Sequence, residues 1–466
     1  MDRRSVIIAG SLLAGLAAII GVAVALGSGG GGGGSVGSGS ATTTTTSVAA
    51  TTLPSITPTT LLPPQSLVPT TPTTVVITPP PSTTPTTTPN GASDVGITAH
   101  TIRITVVADT APVVKGVEAW AATVNGTGGL AGRTVKVEAR VVSSASEYTA
   151  AIANACTTSF AVVGSSSQFD SQTSGLQCGV PEVATRIFDP AHQARPNAYA
   201  VIPARAGLVP VGAFRHLLSS VAGCCHQYVL VPAVGPGRAP TQAAVQAATA
   251  IGFTTAATPD VPAGSPPGEY TKIVADLVSK QATFASSGLG AESTVRLRKA
   301  AAANPGASVV TAWYCDATCA DPSFLTSGGA AVDGENVDIG VNPLTDEARI
   351  PTMAAYVRAM KSLGTPTVAG LESYSAGLLF QQAVRQVVTA SGTNGITRVR
   401  LLAALGTVHT FTAGGILGTT DVGARQPTGC YVLLGVEGGR FVRVFPAASA
   451  QLDCGTQNLQ TVPTGG

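Results

Sequence analysis

Residues 102–142 constrain the fold of this chain more than any other stretch. Ile102-Arg-Ile-Thr-Val-Val-Ala108 is a β-branched, apolar run that reads as a strand. Val117, Trp120, Ala121 and Val124 then recur at helical spacing. That pattern runs out at Asn125-Gly126 and Gly128-Gly129, residues that accept the backbone angles of a helix end and a turn. After Leu130-Ala-Gly-Arg133 the period drops to two, and Val135, Val137, Ala139 and Val141 fall on one face of a second strand. Strand, helix, Gly-rich turn and strand make one right-handed βαβ unit, which requires a parallel pair.

The same alternation continues downstream. A helix is expected at 148–156, strands at 161–164, 228–233 and 308–314, and helices at 241–251, 350–363 and 373–389. Continuous apolar strands between helices imply parallel sheets covered on both faces, an α/β fold. The end of the chain differs: 430–435 and 440–445 flank Val436-Glu-Gly-Gly439, a hairpin. Residues 94–466 exceed one ordinary core and imply two lobes.

Residues 5–27 carry no charge and follow Arg3 and Arg4. A helix of that length spans ~34 Å, enough for a bilayer core of ~30 Å. The run reads either as a cleaved signal peptide, with Ala23-Val24-Ala25 as the cleavage site, or as a signal anchor with the arginines kept inside. Both place the remainder outside the cytoplasm, as a membrane-anchored or secreted protein of the cell envelope. No cysteine precedes Cys156, which argues against an N-terminal lipid. Residues 28–93 are also uncharged, with six consecutive glycines (29–34) before a Thr/Pro/Ser tract. Such a composition buries no core and reads as a disordered stalk, with a span of roughly 45 Å for a flexible chain.

The domain carries all but two of the 26 basic residues and all but one of the 24 acidic ones. A near-neutral domain with few aromatic residues excludes nucleic acid as a partner. Nucleophile-elbow, zinc-protease and P-loop motifs are absent, so the reading is a non-enzyme with no catalytic residue and no cofactor. The five histidines show no ligand spacing. Cys224 and Cys225 are left as a vicinal bridge or two free thiols; zinc on Cys224, Cys225 and His226 fits no known spacing, and no metal site is expected.

The order of pieces resembles one family. Asn125-Gly-Thr-Gly-Gly-Leu-Ala-Gly-Arg133 between helix and strand, Phe160-Ala-Val-Val-Gly-Ser165, Gly179-Val-Pro-Glu-Val-Ala184, Asn197-Ala-Tyr-Ala-Val-Ile-Pro203, Asp338-Ile-Gly-Val341 and Phe441-Val-Arg-Val444 follow the sequence of type I periplasmic solute-binding proteins, in the branched-chain amino-acid-binding branch. The resemblance implies two Rossmann-like lobes joined by three hinge crossovers. Lobe one would take about 97–205 and 340–412, and lobe two about 206–338 and 426–450. It also implies a small-molecule solute held between the lobes, and an ABC transporter permease as partner.

Eight cysteines in an exported chain favour disulfides. The pair Cys156–Cys178 matches a bridge of the family; Cys315–Cys319 would close a small loop, and Cys430–Cys454 would tie the hairpin to the tail. Ligands of parallel sheets sit beyond the carboxyl ends of the strands. That rule, with the resemblance, selects Asp109 and Thr110, then Ser165, Ser166, Ser167 and Gln168, then Ala184, Thr185 and Arg186. The family places aromatic residues over the ligand in lobe two. The loop 233–237 has none, and Trp313, Tyr314 and Asp316 are the expected substitutes, Asp316 as the partner of an ammonium group. Two functions follow: a receptor that delivers an amino acid, amide or related solute to a transporter, or an envelope-anchored sensory or structural protein that keeps the fold without a ligand.

Overall fold

The βαβ unit forms as its pattern requires: β1 (Thr101–Ala108) and β2 (Thr134–Val141) pair in parallel, with α1 (Ala111–Gly126) between them. The computed structural model describes residues 89–171 and 174–463. The apolar run at 5–27 and all but the last five residues of the expected stalk lie outside them. Among the described residues, no helix is long and apolar enough to cross a membrane. The alternation of β2 is only partly used. Val135 is buried, but Val141 is 57% exposed, because β2 is the edge of its sheet and little covers its far half.

After α2 (Ala145–Thr158) come β3 (Ala161–Val163), the single turn α3 (Ser174–Gln177), β4 (Glu182–Ala184), the single turn α4 (Pro190–Gln193) and β5 (Ala198–Ala200). The first sheet has the order β2-β1-β3-β4-β5, all parallel. The chain then crosses through β6 (Leu208–Pro210) and α5 (Gly212–Ser220) into a second sheet. Its strands are β7 (His226–Pro232), β8 (Thr254–Ala257), β9 (Asp260–Val261), β10 (Phe284–Ser287), β11 (Ala312–Cys315) and β12 (Glu335–Ile339). The helices α6 (Arg238–Ala250), α7 (Pro267–Ser279), α8 (Ala291–Ala302) and α9 (Pro322–Gly328) alternate with them. Strand β11 starts later than its apolar run implies: Asn304 caps a 3-10 turn at Pro305–Val309, which removes the first residues from the sheet.

The chain returns to the first lobe as α10 (Pro351–Met360), α11 (Val368–Ser391) and α12 (Arg398–Leu405). Helices α1 and α11 touch where side chains are missing. A Cβ at Gly116 would overlap the Gly370 carbonyl, and one at Gly377 would overlap the Trp120 ring. The Trp120 indole N–H donates to Gln381 across the same contact, at 3.0 Å. Finally β13 (Val432–Glu437) and β14 (Arg440–Phe445) add an antiparallel hairpin beside β12, turning at Gly438 and Gly439, both at positive φ. Strand β15 (Leu459–Thr461) pairs with β6.

Three segments thus pass between the lobes: 201–207, 340–350 and 406–431. The second and third are bonded to each other. Val341 bridges Leu417, and the Asn342 amide N–H and side chain donate to the Ile416 and Gly415 carbonyls at 2.8 and 2.9 Å. Residues 89–93, which the sequence assigns to the stalk, are bonded to the domain. Asn394 donates to the Pro89 carbonyl at 3.0 Å and accepts from the Gly91 N–H at 2.7 Å, and Ser93 donates to the Ile396 carbonyl at 2.6 Å. Arg133, 1% exposed, ties this lead-in to the turn before β2 by donating to the Gly91 and Thr98 carbonyls. Disulfides join Cys156 to Cys178, Cys315 to Cys319, Cys430 to Cys454, and the adjacent Cys224 and Cys225 to each other.

Candidate functional site

All strands of the first sheet run the same way, so the loops after β1, β3 and β4 gather at one edge. The backbone of this edge is stitched together. Asp109 N–H donates to the Ser166 carbonyl at 3.2 Å, and Asp109 Oδ2 accepts from the Gln168 N–H at 2.7 Å. The other Asp109 oxygen is sealed from solvent without a partner. Thr110 precedes α1, is exposed, and makes no side-chain cap. Ser166 is half-buried with its hydroxyl unbonded, and Gln168 is exposed. These three leave polar side-chain groups free at the edge.

Four of the residues singled out in the sequence turn inward instead. The Ser165 hydroxyl, 2% exposed, donates to Glu182. Ser167 accepts from the Phe169 N–H at 3.1 Å, closing a local turn. Thr185 donates to the Gly164 carbonyl at 3.1 Å, and Ala184 is fully buried. These hydroxyls are spent within the protein, Ser167 on its own loop and Ser165 and Thr185 on neighbouring strand ends.

Arg186 does reach the edge, and it is held there. Its Nε and Nη2 donate to the two carboxylate oxygens of Glu372 at 3.1 and 2.7 Å, a bidentate pair. Glu372 lies in the second turn of α11 and is only 4% exposed, whereas the Arg186 side chain is 31% exposed. Burial works against the Arg186 charge. The Glu372 carboxylate more than offsets this, helped by Asp316 and Asp338, and holds the guanidinium above its ordinary range. Those two aspartates belong to the second lobe.

In the second sheet β11 and β12 are parallel neighbours, and Asp316 and Asp338 lie at their carboxyl ends. The Tyr314 hydroxyl donates to Asp338 at 2.7 Å, while its ring packs on Phe214 and Phe284. Burial, with Asp316 adding to it, pushes the Asp338 carboxyl up to about 6 against the Tyr314 bond and Arg186. Asp316 is exposed and caps the following 3-10 turn through the Thr318 N–H at 3.0 Å. Trp313 points to the opposite face of the sheet, where Arg298 stacks over its ring at 4.4 Å. It takes no part in the cleft edge, because successive residues of a strand face opposite ways.

Glu372 and Asp338 escaped the sequence reading, although each left a trace. Glu372 falls in helical register with the core residues Ala376, Leu379 and Ala383, a carboxylate on an apolar stripe. Asp338 precedes buried Ile339 at the end of a strand, where the carboxyl-end rule applies. Two surface grooves lie elsewhere: one of about 660 Å³ between α11 and the loop 410–414, and one of about 570 Å³ beside the Arg238–Asp260 ion pair. Among the described residues, no group of three or more His, Cys, Asp or Glu side chains is placed to hold a metal ion.

The sequence profile described as periplasmic binding protein matches residues 105–440. Among curated proteins no sequence matches. Several solved structures are similar. A leucine-binding protein of Thermotoga maritima is 14% identical, with a TM-score of 0.58, over 74% of this chain and 97% of its own. A solute-binding protein of R. palustris in complex with benzoate is 14% identical, with a TM-score of 0.59, over 76% and 98%. A fatty acid ABC transporter substrate-binding protein of Thermomonospora curvata is 14% identical, with a TM-score of 0.60, over 76% and 93%. At this identity the likeness carries the fold, two lobes of parallel sheet joined by three crossings, and nothing about the ligand. With a profile matched over most of its length and both sheets in place, the chain belongs to the periplasmic binding protein family, whose members bind and do not catalyse.

Proposed function

We propose that this protein captures a small polar solute, an amino acid, amide or related compound, between its lobes and delivers it to an ABC transporter permease. The apolar segment at 5–27 exports the domain or holds it at the membrane, and residues 28–88 act as its spacer. One observation carries the reading: the bidentate Arg186–Glu372 pair stands partly exposed at the carboxyl edge of the first lobe's sheet, where ligands of parallel sheets sit. Thr110, Ser166 and Gln168 add unbonded polar groups on the first lobe. Structural relatives that bind leucine, benzoate and fatty acids are consistent with such a cleft and leave the solute class to its own residues.

A thermal-shift panel of amino acids, amides, sugars and short peptides tests the reading. A solute with a Kd near 1 μM, supplied at 100 μM, stabilises the protein by about 2.7 kcal/mol. The double substitution Thr110→Ala with Ser166→Ala should then weaken that solute at least tenfold, about 1.4 kcal/mol, and leave the empty protein's melting temperature nearly unchanged. The inward bonds of Ser165 and Thr185 favour a second reading, an envelope-anchored sensory or structural protein with no transport ligand. A panel in which nothing shifts the melting temperature selects that reading.

A further inference from the structure

A buried polar cluster lies directly behind the loops after β3 and β4. His192, 1% exposed, is its centre. His192 Nδ1 is 2.8 Å from the main-chain carbonyl oxygen of Asp170, which can only accept, so Nδ1 carries a hydrogen. His192 Nε2 is 2.6 Å from Glu182 Oε2, and the other Glu182 oxygen is bonded to the Ser165 hydroxyl. Two bare acceptors do not sit at 2.6 Å, so a hydrogen lies between imidazole and carboxyl. The pair therefore holds at least one proton more than a neutral imidazole facing a carboxylate, whichever of the two atoms carries it.

That proton has mechanical consequences. It locks the imidazole to Glu182, which holds Ser165, while Nδ1 of the same ring holds the Asp170 carbonyl, so both ends of the loop after β3 are fixed. The Asp170 carboxylate accepts from the Phe188 and Asp189 N–H groups at 2.6 and 3.0 Å, and Asp189 accepts from the His192 N–H at 2.8 Å. These bonds fix the loop after β4, which carries Arg186. The charged and titratable neighbours are Glu182 on β4, Asp170 and Asp189 in the two loops, Arg195 after α4, and Tyr148 on α2 with Asp109 beyond it. We propose that His192 is a positioning residue: the proton it shares with Glu182 ties the two first-lobe cleft loops together, so that solute affinity falls when that proton is lost. The coupling to affinity rests on the cleft reading above; the lock between the loops does not.

Burial lowers the affinity of His192 for its proton, and the Glu182 carboxylate reverses this and lifts it above the ordinary histidine range. With a raised folded value, the stabilisation is full below the unfolded histidine pKa of about 6.5 and is lost as pH rises through the folded value. Hydrogen exchange of the full-length chain, corrected for the intrinsic rate at each pH, reads the lock without any ligand. Segments 165–171 and 185–193 should open at least tenfold more readily above that step, while 101–108 stays protected. His192→Gln should abolish the step. Glu182→Gln, which keeps the shape and removes the charge, should move it to lower pH. The affinity of any solute found by the panel should fall tenfold across the same step in the wild type and stay flat in His192→Gln. Exchange without a step in the wild type, or the same step in His192→Gln, overturns the lock whatever binds. A step in exchange with unchanged solute affinity overturns its coupling to the cleft. A step in exchange with no solute bound at all upholds the lock and sinks the cleft reading instead.

Discussion

Glu372 spends both carboxylate oxygens on Arg186, and the two residues are unequally buried. The consequences of removing either one are therefore unequal. Arg186→Gln strands a buried carboxylate and should destabilise the protein by about 3 kcal/mol. Glu372→Gln leaves a guanidinium that can turn to water and should cost about 1 kcal/mol or less. Urea denaturation of both variants measures the difference; equal losses would mean that the pair is not buried on one side. At this scale the strand-end rule gave the position of Asp109, Thr110, Ser166, Gln168 and Arg186 at the sheet edge, which is a statement of place and not of ligand contact. The sequence was illegible for Ser165, Ser167, Thr185 and Trp313. A strand-end position says where a residue starts, but which way it turns depends on the nearest unsatisfied group. For Ser165 that group is Glu182, 17 residues away, and for Thr185 it is the Gly164 carbonyl, 21 residues away.

Elements were more legible than residues because periodicity is a property of many positions together. The first βαβ unit, α11 and the terminal hairpin were all readable in outline. Where the outline slipped, a local competitor won. Asn304 and Pro305 turned the start of an apolar run into a 3-10 turn, and the edge position of β2 left Val141 without a covering layer. Strand β12 shows another conflict between pattern and environment. Glu335, 1% exposed, makes no hydrogen bond with either carboxylate oxygen, and Arg298 approaches only to 3.3 Å. Burial pushes its carboxyl up to about 8, and the attraction of Arg298 offsets this only in part. A raised carboxyl contributes stability that is full below its unfolded value, about pH 4.5, and is lost as pH rises through about 8. Glu335→Gln should therefore gain on the wild type as pH rises. Its melting temperature relative to wild type should be higher at pH 8.5 than at pH 5; a constant difference between the two would show that Glu335 is ionised throughout.

At the scale of the whole molecule, the two lobes differ in what they are fastened to. The lead-in at 89–93 is hydrogen-bonded to Asn394 and Arg133 and so belongs to the first lobe. The last strand, β15, lies along β6, and Val462 packs with Val211, Phe284 and Leu433 in the core of the second. The crossings 340–350 and 406–431, bonded together at Asn342, leave relative rotation of the lobes as the motion available to a solute. Fluorophores placed at residues 91 and 460 should therefore change their energy transfer when a solute binds, in step with the thermal shift. An unchanged signal at saturation would mean that binding leaves the lobes where they were. Because the lead-in at 89–93 is fixed to one lobe, a tether running through it, as proposed above, would make that lobe the stationary frame. The other lobe would then be the one that swings, and on the proposed function a transporter would tell an occupied receptor from an empty one by the orientation of that free lobe.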